Sequence, residues 1–159
     1  MTSNEYGTIL RYQKDAPVDI TALVTEFGLS VYEKEDLPDG VSGMICRDPS
    51  PESPGGYSIQ VNANDVYTRR RFTIAHEFAH YLLHRDKIGD GITDDAMYRS
   101  DKMTTQDEFE ANNKAADLLM PRNLVMRYLS EGTGGADVLA RMFQVSVPAM
   151  QVRLRYLLY

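Results

Sequence analysis

Five consecutive residues, His76-Glu77-Phe78-Ala79-His80, set two imidazoles four positions apart with a carboxylate beside the first. On a helix, positions four apart share one face about one turn apart. Two imidazoles so placed can hold a single Zn²⁺ from the same side, which is the H-E-x-x-H arrangement. Glu77 then stands beside the ion rather than on it, where it can take the proton of a metal-bound water as general base. Zinc brings the pKa of such a water to about 7, which gives a nucleophile at neutral pH. The flanking Ile74, Ala75, Phe78, Ala79, Leu82 and Leu83 make the helix apolar nearly all round. Buried imidazoles next to a buried carboxylate need partners, and a metal ion supplies one.

A catalytic zinc takes three protein ligands and keeps one position open. The chain has three histidines, His76, His80 and His84. His84 continues the row, so the first and third rings would lie about 11 Å apart along the axis, too far for one ion. It is expected to follow the last turn at the surface, with a hydrogen bond to a ligand or substrate as the alternative. Cys46 falls in an expected strand with no ligand partner nearby, so a carboxylate is preferred. The helical segment from Gln106 offers two. Glu108 shares a face with Ala111, Asn112, Ala115, Leu118 and Leu119, a small apolar face that can pack closely on the zinc helix. Glu110 sits with Lys114 and Asp117, which reads as a solvated edge with an i, i+4 ion pair. Helix geometry selects Glu108 as third ligand, against the alternative of a first-turn residue favoured by the helix dipole. Tyr98 and Arg99 precede it in a loop and are candidates for stabilising an oxyanion.

The elements that must position these groups follow from periodicity. Asp19 to Phe27 has apolar residues at helical spacing, and Gly28 is placed to end that helix. Leu29 to Lys34, Val41 to Arg47 and Tyr57 to Val61 read as three strands. Asp39-Gly40 marks a turn, and Asp48 to Gly56 reads as a loop. Asn64 or Asp65 can cap a helix running to about His84. Gly89 to Thr105 is a long polar loop, of the kind that is often functional. Helices follow over Gln106 to Met120, Asn123 to Leu129, Val138 to Phe143 and Pro148 to Leu158, with Ser146 as cap of the last and Pro148 in its first turn. The expected class is α+β, with a small antiparallel sheet of about three strands on a buried helix carrying the histidines. One domain over 1–159 is expected, with 1–15 flexible and 122–159 forming C-terminal helices.

Composition narrows the function classes. Seventeen Lys and Arg against 23 Asp and Glu give a formal net charge of −6, which disfavours nucleic acid as the main partner. Arg69, Arg70 and Arg71 form a short local basic run. A single cysteine cannot form an intramolecular disulfide. The first ten residues hold no signal-peptide core, and no run approaches the roughly 18 apolar residues of a membrane span, so a cytoplasmic location is expected.

Phe72-Thr73-Ile74-Ala75-His76-Glu77-Phe78-Ala79-His80-Tyr81-Leu82-Leu83-His84 resembles the zinc helix of the ImmA/IrrE family of metallopeptidases. Glu108-Phe109-Glu110-Ala111-Asn112, continuing through Ala115-Ala116-Asp117-Leu118-Leu119-Met120-Pro121, resembles that family's second motif in order and spacing. Leu139 to Ser146 and Arg153-Leu154 are similar to its tail, so the resemblance runs from about Gly28 to the C-terminus. It implies a zincin-like, gluzincin-type domain with His76, His80 and Glu108 on zinc and Glu77 as base. It also implies a substrate: a helix-turn-helix, Xre-like repressor encoded nearby, in a prophage, mobile element, stress response or toxin–antitoxin-like pair. Phe78 and Ala79 replace the family's common Leu-Gly, and Lys114 replaces a usual aromatic residue. The length leaves no room for a separate DNA-binding or sensor domain, so regulatory input is expected from a partner or substrate.

The favoured function is therefore a zinc endopeptidase. The alternative is a non-catalytic zinc-containing module that binds a repressor or toxin. A DNA-binding regulator is a third reading, because Ala136 to Leu157 has the pattern of a helix–turn–helix. Any two packed helices joined by a short turn give that pattern, and the acidic charge weighs against it.

Overall fold

The computed structural model describes residues 1–90 and 103–159. Those residues form seven helices and a three-stranded sheet, an α+β arrangement. Helix α1, Ser3–Tyr12, occupies the stretch expected to be flexible. Its start is set by a capping box, in which Thr2 accepts from the Glu5 backbone and the Glu5 side chain accepts from the Thr2 backbone. Helix α2, Ile20–Glu26, is capped by the Asp19 side chain and ends at Gly28, whose φ of +83° needs a residue without a Cβ.

Strands β1 (Ser30–Lys34), β2 (Gly43–Arg47) and β3 (Tyr57–Asn62) match the expected segments, but the sheet is mixed rather than antiparallel. The order is β1-β3-β2, with β3 parallel to β1 and antiparallel to β2. The reason lies in burial. Ile59 and Val61 are fully buried on β3, so the third strand takes the centre and pairs on both sides. The connections, 35–42 and 48–56, are too long for the two-residue turns that would fix neighbouring strands as hairpins. β2 is left at the edge.

Helix α3, Tyr67–Leu83, packs against β2, β3 and α2. It starts after Val66, without a side-chain cap: Asn64 donates to the Glu35 carbonyl and Asp65 pairs with Arg69 instead. Phe78, fully buried, meets Phe27 edge-on at 5.0 Å and stacks on Tyr81 at 5.9 Å. The most extensive helix pairing is between α3 and α4, Thr105–Leu119. Ala75 and Ala79 on α3, and Ala111 and Ala115 on α4, have no exposure, as expected of small residues that let two helices approach closely.

The C-terminal helices α5 (Arg122–Ser130), α6 (Ala136–Phe143) and α7 (Val147–Leu158) close the core through Leu124, Val125, Leu139, Phe143, Met150 and Leu157. Ser146 caps α7 as its position suggests. Two buried arginines tie this part down by binding carbonyls at helix C-termini. Arg71 of α3 donates to the Phe143 and Gln144 carbonyls, and Arg153 of α7 donates to the Met120 carbonyl and pairs with Asp117 at 2.7 Å. The basic run at 69–71 is thus consumed internally: Arg69 and Arg70 pair with Asp65 and Glu33. No helix of the described residues is long and apolar enough to cross a membrane.

Where β2 presses on α3, a Cβ at Gly43 would come within 2.4 Å of the Thr73 methyl and 2.6 Å of the Gln60 carbonyl. Gly43→Ala should therefore cost about 1–3 kcal/mol in urea unfolding, as overpacked sites do. Gly7→Ala, in open space inside α1, should instead add about 0.5–1 kcal/mol. Equal stabilities for the two variants would contradict the close β2–α3 contact.

Candidate metal centre

Helix α3 carries His76, Glu77 and His80, and helix α4 brings Glu108 to them. The His76 and His80 Nε2 atoms are 3.1 Å apart. Glu108 lies 3.1 Å from His76 Nε2 through one carboxylate oxygen and 3.4 Å from His80 Nε2 through the other. A tetrahedral zinc with ligand bonds of about 2.0–2.2 Å sets neighbouring ligand atoms roughly 3.3 Å apart. The three observed separations fit that figure. His76, His80 and Glu108 are accordingly one of two groups among the described residues able to hold an ion.

The further contacts of these side chains also follow from the helix pair. Asn112, one turn after Glu108, places its amide oxygen 2.9 Å from His76 Nδ1. An amide oxygen only accepts, so Nδ1 of His76 carries the hydrogen and Nε2 keeps its lone pair toward His80 and Glu108. Thr104 caps α4 in a reciprocal box with Asp107, fixing where the helix begins and hence which face Glu108 occupies.

All of this opens on a cavity of about 730 Å³. Its walls are Val41 to Gly43 and Ile45 beside the sheet edge, Phe72, Thr73, His76, Glu77 and His80 on α3, Glu108 and Asn112 on α4, and Val145, Ser146 and Ala149 at the α6–α7 junction. Glu77 is half-buried and lines it beside both histidines.

A family model described as the IrrE N-terminal-like domain of the M78 peptidases matches residues 11–155. The chain belongs to this M78 family. Members are generally metal-dependent, and the histidine–glutamate cluster is where this M78 domain could bind a metal. Among solved structures, a Mycobacterium tuberculosis transcriptional regulator is similar to the M78 domain over 97% of this chain, with 19% identity and a TM-score of 0.60. That likeness is one of fold, and it spans only 47% of the regulator's own chain. A comparison with curated proteins found no match.

Several expectations are corrected. His84 is buried rather than at the surface, at 5% exposure. Its Nδ1 lies 3.0 Å from His80 Nδ1, and its Nε2 lies 3.1 Å from Glu110 and 3.4 Å from Asp107. Glu110 keeps a half-exposed position, but it faces His84 and accepts from Gln106 instead of forming the expected edge with Lys114. The cause is the rotation of α4 against α3, which sequence spacing within one helix does not contain. Cys46 is not among the residues lining the cavity; its sulfur lies 3.7 Å from the Ser58 hydroxyl, and burial pushes its thiol up. Tyr98 and Arg99 lie outside the described residues. Asn112 and Asp107 had no assigned part in the sequence reading. The signals for them were there: Asn112 shares the face of Glu108, and Thr104-x-x-Asp107 has the form of a capping box.

Burial lowers His80 from its ordinary 6.5 to about 4, helped by the imidazole of His76 and opposed by Glu108. His80 is thus neutral and able to ligate at neutral pH. Between those two values the unfolded chain binds a proton that the folded one refuses, so stability falls as pH drops through the window. The metal-free domain should lose stability in urea between pH 6.5 and about 4. An unfolding midpoint that stays flat from pH 7 to 5 would contradict a buried, neutral His80.

Proposed function

We propose that this domain is a zinc-dependent endopeptidase of the zincin-like, gluzincin type. The observation that carries the reading is the convergence of His76 Nε2, His80 Nε2 and the Glu108 carboxylate at 3.1–3.4 Å, with Glu77 on the wall of the same cavity. In this reading His76, His80 and Glu108 hold the ion. Bound zinc supplies Lewis acidity, which acidifies water and polarises a carbonyl.

The chain's own groups do the rest. Edge strand β2 lines the cavity, and an extended peptide suits the side of such an edge. Glu77 accepts the proton of the attacking water and returns it to the departing amine as the peptide C–N bond breaks. Burial keeps the His80 ring neutral, and the hydrogen bond from His76 to Asn112 orients the His76 ring. The substrate we propose is a helix-turn-helix, Xre-like repressor encoded beside this gene, met in the cytoplasm. The support is the likeness of the two helical motifs to ImmA/IrrE proteins. Internal pairing of Arg69, Arg70 and Arg71 and the net charge of −6 support a protein partner over direct nucleic acid.

The test is cleavage of the neighbouring repressor by the zinc-loaded wild type and by Glu77→Gln. The variant should keep its zinc and lose about 10²–10⁴-fold in kcat, the usual contribution of a general base. Equal cleavage by both would remove Glu77 from the reaction. Tight repressor binding by the zinc-loaded wild type without any cleavage would replace the peptidase by a binding module.

A further inference from the structure

We propose that His84 is a positioning residue: its imidazole accepts the Nδ1–H of His80 and is itself anchored by Asp107 and Glu110, so that the His80 Nε2 lone pair stays aimed at His76 and Glu108. The proposal rests on the reading of those three residues as metal ligands. It assigns His84 a part that neither the H-E-x-x-H motif nor the third ligand requires.

The direction of each hydrogen bond follows from what each atom can do. Ionised carboxylates accept and never donate. Asp107 already accepts from Lys87 and from the Thr104 backbone, and Glu110 accepts from the Gln106 amide. His84 Nε2, 3.1 Å from Glu110 and 3.4 Å from Asp107, must therefore carry the hydrogen. In the arrangement we propose, this is the one N–H of the His84 ring, and its lone pair sits on Nδ1. That atom lies 3.0 Å from His80 Nδ1, which then has to donate. His80 is left with a bare Nε2, 3.1 Å from the bare Nε2 of His76 and 3.4 Å from the Glu108 carboxylate. Three lone-pair atoms face one point with no hydrogen among them, and a cation is what such a point takes. On His76 the orienting group is the Asn112 amide; on His80 it is a second imidazole backed by two carboxylates. In both arrangements α4 supplies the outer partner: Asn112 for His76, and Asp107 and Glu110 behind His84.

The same geometry explains why His84 is not itself a ligand. Its Nδ1 is engaged with the far side of His80, and its Nε2 points to Asp107 and Glu110. Lys87, whose ammonium pairs with Asp107, occupies the place beside that second group which a second cation would need.

Three substitutions separate positioning from packing. His84→Asn keeps an acceptor near the position of Nδ1, His84→Gln keeps polar contact only toward the carboxylates, and His84→Leu keeps bulk alone. Metal-free proteins are titrated with Zn²⁺ against a competing chelator, and the ring-nitrogen NMR shifts of His80 are read at neutral pH. The Gln and Leu variants should bind zinc about 10–100-fold more weakly, the usual loss when an orienting partner goes. His84→Asn should recover most of that loss. In the wild type His80 should be the Nδ1–H tautomer without metal, and in the Gln variant a mixture. Should the Leu variant not fold, the Asn and Gln pair still decides. Equal zinc affinity in Asn and Gln, or an Nε2–H tautomer of His80 in the metal-free wild type, overturns the proposal. A wild type that binds no zinc while His80 holds the Nδ1–H tautomer would sink the metal reading and leave the positioning contact standing.

Discussion

Two imidazole nitrogens and a carboxylate, all within 3.4 Å of one another, repel when each presents a lone pair unless something positive lies between them. Helices α3 and α4 hold them there. Along their contact His76 meets Glu108 and Asn112, while His84, two turns further, meets Asp107 and Glu110. This one pairing decides which atoms converge, how close they come, and which nitrogen of each ring is bare.

The rest of the domain serves that pairing. The mixed sheet and α2 cover the other sides of α3 and bury Phe78, so the histidine helix has no freedom to rotate its polar face. Arg71 and Arg153 lock the C-terminal helices to α3 and to the end of α4 through backbone carbonyls, which places Val145, Ser146 and Ala149 on the cavity wall. The buried guanidinium of Arg71 therefore stabilises the walls of the site without touching it. Gly43, pressed on Thr73, brings the sheet edge to the same cavity.

Much of this was legible in the sequence because it is local. The four-residue spacing of His76 and His80 and the small apolar face running from Glu108 to Leu119 are properties of single helices, and the structure brings those two faces together. Strand positions were likewise local; strand order was not. Parallel pairing of β1 with β3 depends on β3 being the most buried strand, which hydrophobic alternation in three short segments does not rank. The burial of His84 is hidden from sequence for a related reason. One helix alone puts it a turn beyond the pair, and only the rotation of α4 reveals Asp107 and Glu110 waiting beside it. Helix α1 is hard to read from sequence although Thr2 and Glu5 carry a capping box, because its apolar face is short.

The proposed chemistry depends on which atoms would surround a bound zinc. Zinc X-ray absorption on the loaded full chain reads them directly. The expected spectrum is one zinc per chain with a first shell of nitrogen and oxygen at about 2.0–2.2 Å, histidine scattering from two rings, and no sulfur. A sulfur at about 2.3 Å, which in this chain could come only from Cys46 or a methionine, or a protein that retains no zinc, would contradict it.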